Sequence, residues 1–351
     1  MTSDTPASGD NNFSIPVCDL SSWHGTQDSE SRQLFLDTWD YAFRTFGFLL
    51  LVNHGLEGKY RALTAELKQF FNQPLDRKLK FRLTESYGYG GYTPQGQESV
   101  SRTYTSSEKL QRPPDAVESL VLSSDIPHSF PCLANGYKND HLKAQSLALQ
   151  QELDKLTLTV MEIMAVCLNL PRRFFQESYR GQDRTRDLRA AHYLPGESSA
   201  TGCMRYGEHT DYTGFTFLWR NQDNGLQCLN PHGQGISTQH SENDWTDVPL
   251  LPDHSDALVV NAGDLIQRWT NSYWISNVHR VAGPGFRQET EDAKPGNPIS
   301  IVYFTGPAGD TKINVLSASE KVASTGPVLE EYRDEITADE HLQEKLNASN
   351  E

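Results

Sequence analysis

The chain has 351 residues and a formal net charge of −15. That length allows one large domain with a substantial core, and the acidic balance argues against nucleic acid or an anionic membrane as a partner. No apolar run is long enough for a membrane helix, and the start does not resemble a secretory signal. The five cysteines lack the spacing of a zinc site or a disulfide framework, which favours a cytoplasmic protein with reduced thiols.

The first half of the chain predicts helices around a few strands. Its polar start, residues 1–12, has the composition of a disordered segment. Apolar spacing then changes between the helical and the extended period. The predicted elements are a strand over 15–20, a helix over 29–44, a buried strand over 48–52, a helix over 59–71 and a long helix over 141–170 that ends before Pro171.

From Leu188 the pattern changes to short β-like runs separated by turn residues, which is typical of a β-sandwich or barrel. The predicted strands cover 188–193, 205–211, 214–219, 225–230, 256–261, 264–269, 276–281 and 299–304. An acidic amphipathic helix over 328–345 follows. We therefore expect a mostly β fold with α-helices, divided into a disordered start (1–12), a helical and strand region (13–180), a β core (181–320) and an acidic C-terminal helix and tail (321–351).

One pattern points to a metal. His209 and Asp211 lie two apart in a predicted strand, so their side chains should share a face. His279 follows 68 positions later in another predicted strand. Two imidazoles and one carboxylate that leave other positions open are the ligand set of non-haem Fe(II) oxygenases.

His-x-Asp alone is weak evidence, because His254 and Asp256 have the same spacing. An isolated histidine of this kind is more often an ordinary core or surface residue. The second pair follows the turn-prone Leu251-Pro252-Asp253 and lies close to His279, which leaves little room for intervening strands. The first pair is followed by a β-like run and is the better candidate.

Several motifs around the first pair, in a fixed order, resemble the isopenicillin N synthase-like branch of the 2-oxoglutarate/Fe(II)-dependent dioxygenases. They are Ile15-Pro16-Val17-Cys18-Asp19-Leu20, Gly47-Phe48, Val52-Asn53-His54-Gly55, His192-Tyr193, Gly207-Glu208-His209-Thr210-Asp211-Tyr212, Gly225-Leu226-Gln227, Val260-Asn261-Ala262-Gly263-Asp264 and Val278-His279-Arg280-Val281. The resemblance implies a double-stranded β-helix (jelly-roll) core with His209, Asp211 and His279 as Fe(II) ligands. It also implies 2-oxoglutarate and O2 as co-substrates.

The resemblance breaks at one position. Family members carry Arg-x-Ser after the second metal histidine, and the arginine pairs with the distal carboxylate of 2-oxoglutarate. Here Ser300 is present, but the arginine position is Pro298. Arg268, in a predicted strand between the metal-bearing segments, is the first candidate to replace that cation. Weaker candidates are Arg205, Arg189 and Lys294. Alternatively, the chain does not use 2-oxoglutarate, or it is a silent relative, which its intact ligand set disfavours.

The resemblance also implies residues around the metal. Tyr193 is expected to contact the co-substrate carboxylate, or to be a core aromatic with its hydroxyl bonded elsewhere. A glycine-rich segment is expected to line the substrate pocket, or to form only a surface turn. The predicted substrate-lining residues are Tyr87, Tyr89 and Tyr92 in that segment, Phe217, and Phe304 near the end of the last strand.

The resemblance implies an oxygenase that oxidises an unactivated C–H bond of a small molecule and releases succinate and CO2. We expect its substrate to come from specialised or nucleobase-like metabolism. Hydroxylation, desaturation and ring closure all remain open. The alternatives are an Fe(II) oxidase of the same fold that does not consume 2-oxoglutarate, a non-catalytic binding protein, and a zinc hydrolase that uses the same three ligands. We expect a monomer or a weak oligomer.

Overall fold

The computed structural model describes residues 13–24, 29–82, 91–97, 115–122, 140–179, 184–194, 204–234, 240–283 and 298–350. Its helices are α1 (Ser21–His24), α2 (Ser29–Thr45), α3 (Glu57–Phe71), α4 (Leu75–Lys78), α5 (Asp140–Cys167), α6 (Asp264–Trp269), α7 (Glu320–Ala323) and α8 (Ala338–Asn350). The predicted helices over 29–44, 59–71 and 141–170 are confirmed as α2, α3 and α5. Residues 1–12 and the glycine-rich segment with Tyr87 and Tyr89 lie outside the described residues.

The strands form two sheets. They are β1 (Val17–Asp19), β2 (Phe48–Val52), β3 (Gly91–Thr93), β4 (Val117–Val121), β5 (Arg184–Tyr193), β6 (Tyr206–His209), β7 (Phe215–Arg220), β8 (Leu226–Leu229), β9 (Trp245–Asp247), β10 (Leu258–Ala262), β11 (His279–Val281) and β12 (Ile299–Ala308). The larger sheet has the order β1-β2-β10-β7-β12-β5-β4-β3, and the smaller has β6-β11-β8-β9. This pair of sheets confirms the predicted jelly-roll core.

Two apolar cores lie on opposite faces of the larger sheet. One face packs against the helices, because alternate residues such as Leu49 and Leu51 of β2 meet side chains from α2, α3 and α5. The other face meets the smaller sheet through the remaining alternate residues, such as Phe48 and Leu50. The helical layer thus stabilises the larger sheet from behind and leaves its inner face for the space between the sheets.

Two sequence predictions fail in the last third of the chain. Residues 264–269, predicted as a strand, form helix α6. Leu265, Ile266 and Trp269 are all buried with i, i+1, i+4 spacing, which suits a helix, and an acidic residue in the first turn favours its start. The predicted helix over 328–345 begins only at Ala338, and a short 3-10 turn occupies Glu330–Tyr332 before it.

Candidate iron centre and co-substrate cavity

Three candidate metal ligands meet at one end of the smaller sheet, where edge strand β6 ends and its neighbour β11 begins. His209 is the last residue of β6, and His279 is the first residue of β11. The two strands are antiparallel, and these histidines are direct register partners. Asp211 lies just beyond β6, so the predicted strand over 205–211 is shorter than expected. Its carbonyl accepts a hydrogen bond from the Asp264 N–H at 2.8 Å, which fixes it beside α6.

The side chains converge on one point. The Nε2 atoms of His209 and His279 each lie 3.8 Å from Oδ1 of Asp211. The two imidazole centroids are 4.1 Å apart, and all three potential ligand atoms lie within 4.8 Å of one another. Atoms 3.8 Å apart can both bind one ion at metal–ligand distances of about 2.1 Å. This donor set therefore fits a divalent transition metal.

Hydrogen bonds outside the centre orient each ligand. Nδ1 of His209 lies 2.8 Å from the Gly207 carbonyl, and Nδ1 of His279 lies 3.1 Å from the Asn277 carbonyl. A carbonyl can only accept, so each Nδ1 carries the proton and each Nε2 presents its lone pair to the metal. Both imidazoles are therefore held in the metal-binding tautomer.

The carboxylate is oriented in the same way. Oδ2 of Asp211 accepts hydrogen bonds from the Thr216 hydroxyl and the Asn261 amide, both at 2.6 Å. Oδ1 is left facing the two histidines. One oxygen thus anchors the side chain to the larger sheet, while the other serves the metal.

Burial and the neighbouring groups set the protonation states needed for metal binding. Burial, assisted by the nearby His279, lowers the pKa of His209 to about 3, so its imidazole is neutral near pH 7. Burial alone would raise the pKa of Asp211. The adjacent His279 and His209, together with the bonds from Thr216 and Asn261, outweigh that effect and lower this pKa, so the carboxylate is ionised. Neutral imidazole and carboxylate are the forms that bind metal.

The competing His-x-Asp pair is engaged elsewhere. His254 lies on an exposed turn, where it closes a bridge with Leu251. The Asp256 carboxylate forms an ion pair with Arg61, and its backbone carbonyl contacts His54. Within the described residues, the metal-type cluster contains His209, Asp211 and His279 and not this pair.

The three ligands stand at one end of a cavity between the sheets, where the empty space, including open solvent at the mouth, amounts to about 510 Å³. The wall combines apolar side chains with a few polar groups. It is formed by Phe48, Arg189, Ala191, Tyr193, Tyr206, His209, Asp211, Thr216, Leu218, Leu226, Asn261, His279, Val281, Val302 and Phe304.

The structure brings some predicted site residues to this cavity and not others. Tyr193 and Phe304 line it. Phe217 does not, because it points to the opposite face of β7, where its ring stacks on Tyr303 with centroids 6.5 Å apart. Tyr92 is also in the core behind the sheet, and its hydroxyl donates to Glu118 at 2.5 Å.

Arg268, the first candidate for the missing cation, points away from the cavity. It lies on helix α6, and its guanidinium donates to the carbonyls of Ile313, Glu331 and Asp334. Those three bonds fasten the C-terminal segment to α6, which is a structural role. The prediction assumed that Arg268 lies on a strand, where its side chain could face the cavity. That assumption was wrong, because residues 264–269 form helix α6.

Of the weaker cation candidates, Arg189 lines the cavity. Its guanidinium lies 5.2 Å from the centroid of the Tyr206 ring and donates to the Tyr206 hydroxyl at 3.1 Å. Arg205 donates to the Asn224 carbonyl at 2.9 Å, and Lys294 lies outside the described residues. Tyr206 was not predicted from the sequence. It lies in β6, three residues before the metal ligand His209 and directly before the motif that begins at Gly207.

Comparison with known proteins agrees with this geometry. Residues 15–144 match the model of the non-haem dioxygenase in morphine synthesis N-terminal domain, and residues 185–307 match that of the 2OG-Fe(II) oxygenase superfamily. The chain belongs to the 2OG-Fe(II) oxygenase superfamily. This oxygenase is a non-haem Fe(II)- and 2-oxoglutarate-dependent dioxygenase that acts on small molecules.

Fungal proteins are among the relatives of this oxygenase. It is 28% identical over 314 residues to the 2-oxoglutarate-dependent dioxygenase frbA of Dothideomycetidae sp. (strain 11243), covering 87% of this chain and 89% of that protein. It is 27% identical to the 2-oxoglutarate-dependent dioxygenase tropC of Talaromyces stipitatus, covering 89% and 92%. A full-length Neurospora crassa protein, crystallised in complex with alpha-KG and thymine, superposes with a TM-score of 0.76 at 25% identity, covering 98% of this chain and 100% of that one.

In the part of the chain that the structure describes, every helix is too short or too polar to cross a lipid bilayer.

Proposed function

We propose that this dioxygenase oxidises an unactivated C–H bond of a small molecule while 2-oxoglutarate and O2 are converted to succinate and CO2. The observation that carries the proposal is the convergence of His209, Asp211 and His279 at one end of a cavity that is otherwise largely apolar. Such a centre leaves metal positions open on the cavity side, where a co-substrate and O2 can bind.

We assign His209, Asp211 and His279 as the Fe(II) ligands. Bound iron and 2-oxoglutarate supply the oxidising chemistry, and the protein supplies binding, orientation and exclusion of water. Gly207 and Asn277 hold the imidazole protons away from the metal, while Thr216 and Asn261 hold the carboxylate. These outer contacts keep the ligands in place before the metal arrives.

The apolar wall restricts where substrate can react. Phe48 lies against the His279 ring, with centroids 5.3 Å apart. Leu218 and Val302 continue the wall along the larger sheet, and Phe304 stands nearest the metal end of β12. A C–H bond held among these side chains is shielded from water, which limits unproductive side reactions.

The cavity favours a small, flat substrate with a polar edge. The guanidinium of Arg189 and the hydroxyl of Tyr206 can bind carbonyl or carboxylate oxygens, and Phe304 can cover a ring. A heterocycle of nucleobase size has this shape and polarity. The likeness to the Neurospora crassa structure with thymine supports the same class.

The decisive experiment uses anaerobic protein with Fe(II) and 2-oxoglutarate. A weak visible charge-transfer band should appear when 2-oxoglutarate binds the iron through its 2-oxo acid group. On exposure to O2 with substrate, succinate should form in proportion to product. Unchanged turnover in His279→Ala would contradict the assignment of the metal centre.

One observation favours a second candidate. Pro298 occupies the position where the family's arginine binds the distal carboxylate of 2-oxoglutarate, and proline has neither a charge nor an N–H. An oxidase of the same fold that takes its electrons from the substrate would not need that cation. Product formation in the complete absence of 2-oxoglutarate would decide for this candidate.

A further inference from the structure

At the end of the cavity opposite the metal, the negative charge of a bound 2-oxoglutarate must be neutralised. If 2-oxoglutarate binds the iron through its 2-oxo acid group, its second carboxylate would extend away from the metal. An unpaired carboxylate in an apolar cavity is strongly unfavourable, so a cation or several hydrogen-bond donors must meet it. Pro298 cannot do so, since it contributes only its carbonyl, which accepts from the Tyr193 N–H at 3.0 Å.

The strand register identifies the residues at that end. On β12, Phe304 and Val302 line the cavity, and Ser300 lies on the same face two residues further along. On β7, their register partners are Thr216, Leu218 and Arg220, in that order. Thr216 and Leu218 also line the cavity. Arg220 therefore lies on the cavity face, in the row of Ser300.

Arg220 is only 2% exposed and reaches from the larger to the smaller sheet. Its guanidinium donates to the Val248 carbonyl, just beyond β9, and to Oδ1 of Asn224 at 3.3 Å. The same Oδ1 accepts from the N–H of Leu226 at 3.2 Å, and Leu226 lines the cavity. The guanidinium thus stands directly behind the cavity wall.

Ser300 belongs to the same group. Its hydroxyl oxygen accepts a hydrogen bond from the Asn224 amide at 2.8 Å, so its own O–H must point to another acceptor. The described residues offer that O–H no acceptor. Ser300 is fully buried on the cavity-side face of β12, one row beyond Val302, so the natural direction for this proton is the cavity end.

The separation from the metal is suitable. The Thr216 hydroxyl bonds the metal-binding Asp211, and Arg220 lies four residues further along β7. Four strand residues span about 13 Å. The long arginine side chain and the five-carbon co-substrate together cover this gap, with Leu218 and Leu226 beside the carbon chain.

We propose that Arg220, with Ser300, binds the distal carboxylate of 2-oxoglutarate in place of the arginine that is absent at position 298. This assignment rests on the proposed function. Asn224 is the positioning residue, because it contacts both the guanidinium and the hydroxyl. Arg189 lies one row nearer the metal, opposite Val302, with its guanidinium on Tyr206, and is left for substrate.

The test compares 2-oxoglutarate with 2-oxopentanoate, in which a methyl group replaces the distal carboxylate. Dissociation constants for both are measured on the intact anaerobic Fe(II) protein from the visible charge-transfer band. In Arg220→Met, 2-oxoglutarate should bind about 100-fold more weakly, while 2-oxopentanoate should bind nearly as before. Arg220→Lys should retain part of the preference, since it keeps the charge but loses the planar fork.

Arg280→Met is the matched control, because Arg280 is equally buried but points away from the cavity toward Trp245 and Glu242. It should leave the ratio of the two constants unchanged. Equal weakening of both ligands in Arg220→Met, or loss of the preference in Arg189→Met instead, would overturn the assignment of Arg220. Failure of 2-oxoglutarate to give the band in the unsubstituted protein would overturn the proposed use of 2-oxoglutarate as well.

Discussion

The two ends of the cavity are built differently. At the metal end, each ligand is one residue of a short motif, and backbone carbonyls or neighbouring strands orient it. At the end opposite the metal, which we call the closed end because buried side chains stand there, Pro298 interrupts the motif. The polar groups are Arg220 on β7, Asn224 in the loop before β8, and Ser300 on β12. A metal requires fixed ligand geometry, whereas a distal carboxylate requires only a cation and donors within reach. The closed end can therefore change its sequence more freely and keep its chemistry.

The largest expected effect is at the metal end. His279→Ala or Asp211→Ala should lower iron affinity and turnover by more than the roughly 10- to 100-fold that outer contacts contribute. Iron content after anaerobic loading, together with succinate formation, checks this. The matched control is His254→Ala, which removes the histidine of the other His-x-Asp pair from an exposed turn. Iron loss in that variant equal to the loss in His279→Ala would contradict our choice of ligands.

The next prediction is that a second substitution at the closed end restores binding of 2-oxoglutarate. Pro298→Arg places a guanidinium on the same face of β12 as Ser300. In the Arg220→Met background it should recover roughly 10-fold in affinity for 2-oxoglutarate, because a hydrogen bond to a charged group is worth about that much. The charge-transfer titration measures it. Pro298→Ala in the same background is the control, and equal recovery with alanine would show that charge is not the cause.

The sequence predicted the metal end because its determinants are local. His209 and Asp211 lie in one motif, and the motif around His279 fixes the third ligand. The long helices and β2 were also predictable, since their apolar spacing follows the helical or the extended period over many residues. These features require no knowledge of which strands pair.

The closed end was not predictable in the same way. Arg220 was not a candidate, because its significance comes from its register opposite Ser300 on a strand 80 residues later. The choice of Arg268 failed because α6 was taken for a strand, and Phe217 was assigned to the wrong face of β7. The strand alternation was right in both β7 and β12, but sequence alone does not show which face meets the helices.

A smaller effect is expected where the larger sheet supports the metal end. Thr216→Val removes one of the two hydrogen bonds to Oδ2 of Asp211 without changing the side-chain shape much. Iron affinity should fall about 10-fold, the lower end of the range for outer contacts. Thr246→Val is the matched control, because Thr246 is also a buried threonine in a strand but belongs to β9 of the smaller sheet. An equal loss of iron affinity in both variants would mean that the hydrogen bond is unimportant.

The smallest effect on catalysis is expected from the buried polar cluster behind the closed end, formed by His192, Glu118 and Lys78. His192 lies between Ala191 and Tyr193 in the sequence of β5, and its side chain points away from the cavity. Its Nδ1 atom is 2.7 Å from the buried Glu118 carboxylate, and Nζ of Lys78 is 2.6 Å from the same carboxylate. These bonds lower the pKa of Glu118 against the opposing effect of its burial, so the carboxylate is ionised.

Lys78→Met should therefore reduce the free energy of unfolding by about 3–5 kcal/mol, because it leaves a buried charge without its cation. Denaturant unfolding measures this, and Lys312→Met, which breaks the exposed pair with Glu335, is the control with no measurable change expected. Folded Lys78→Met should keep its preference for 2-oxoglutarate over 2-oxopentanoate, since the cluster packs against Phe71 on the helical side of the larger sheet. Loss of that preference would mean that the helical layer positions the closed end as well as stabilising it.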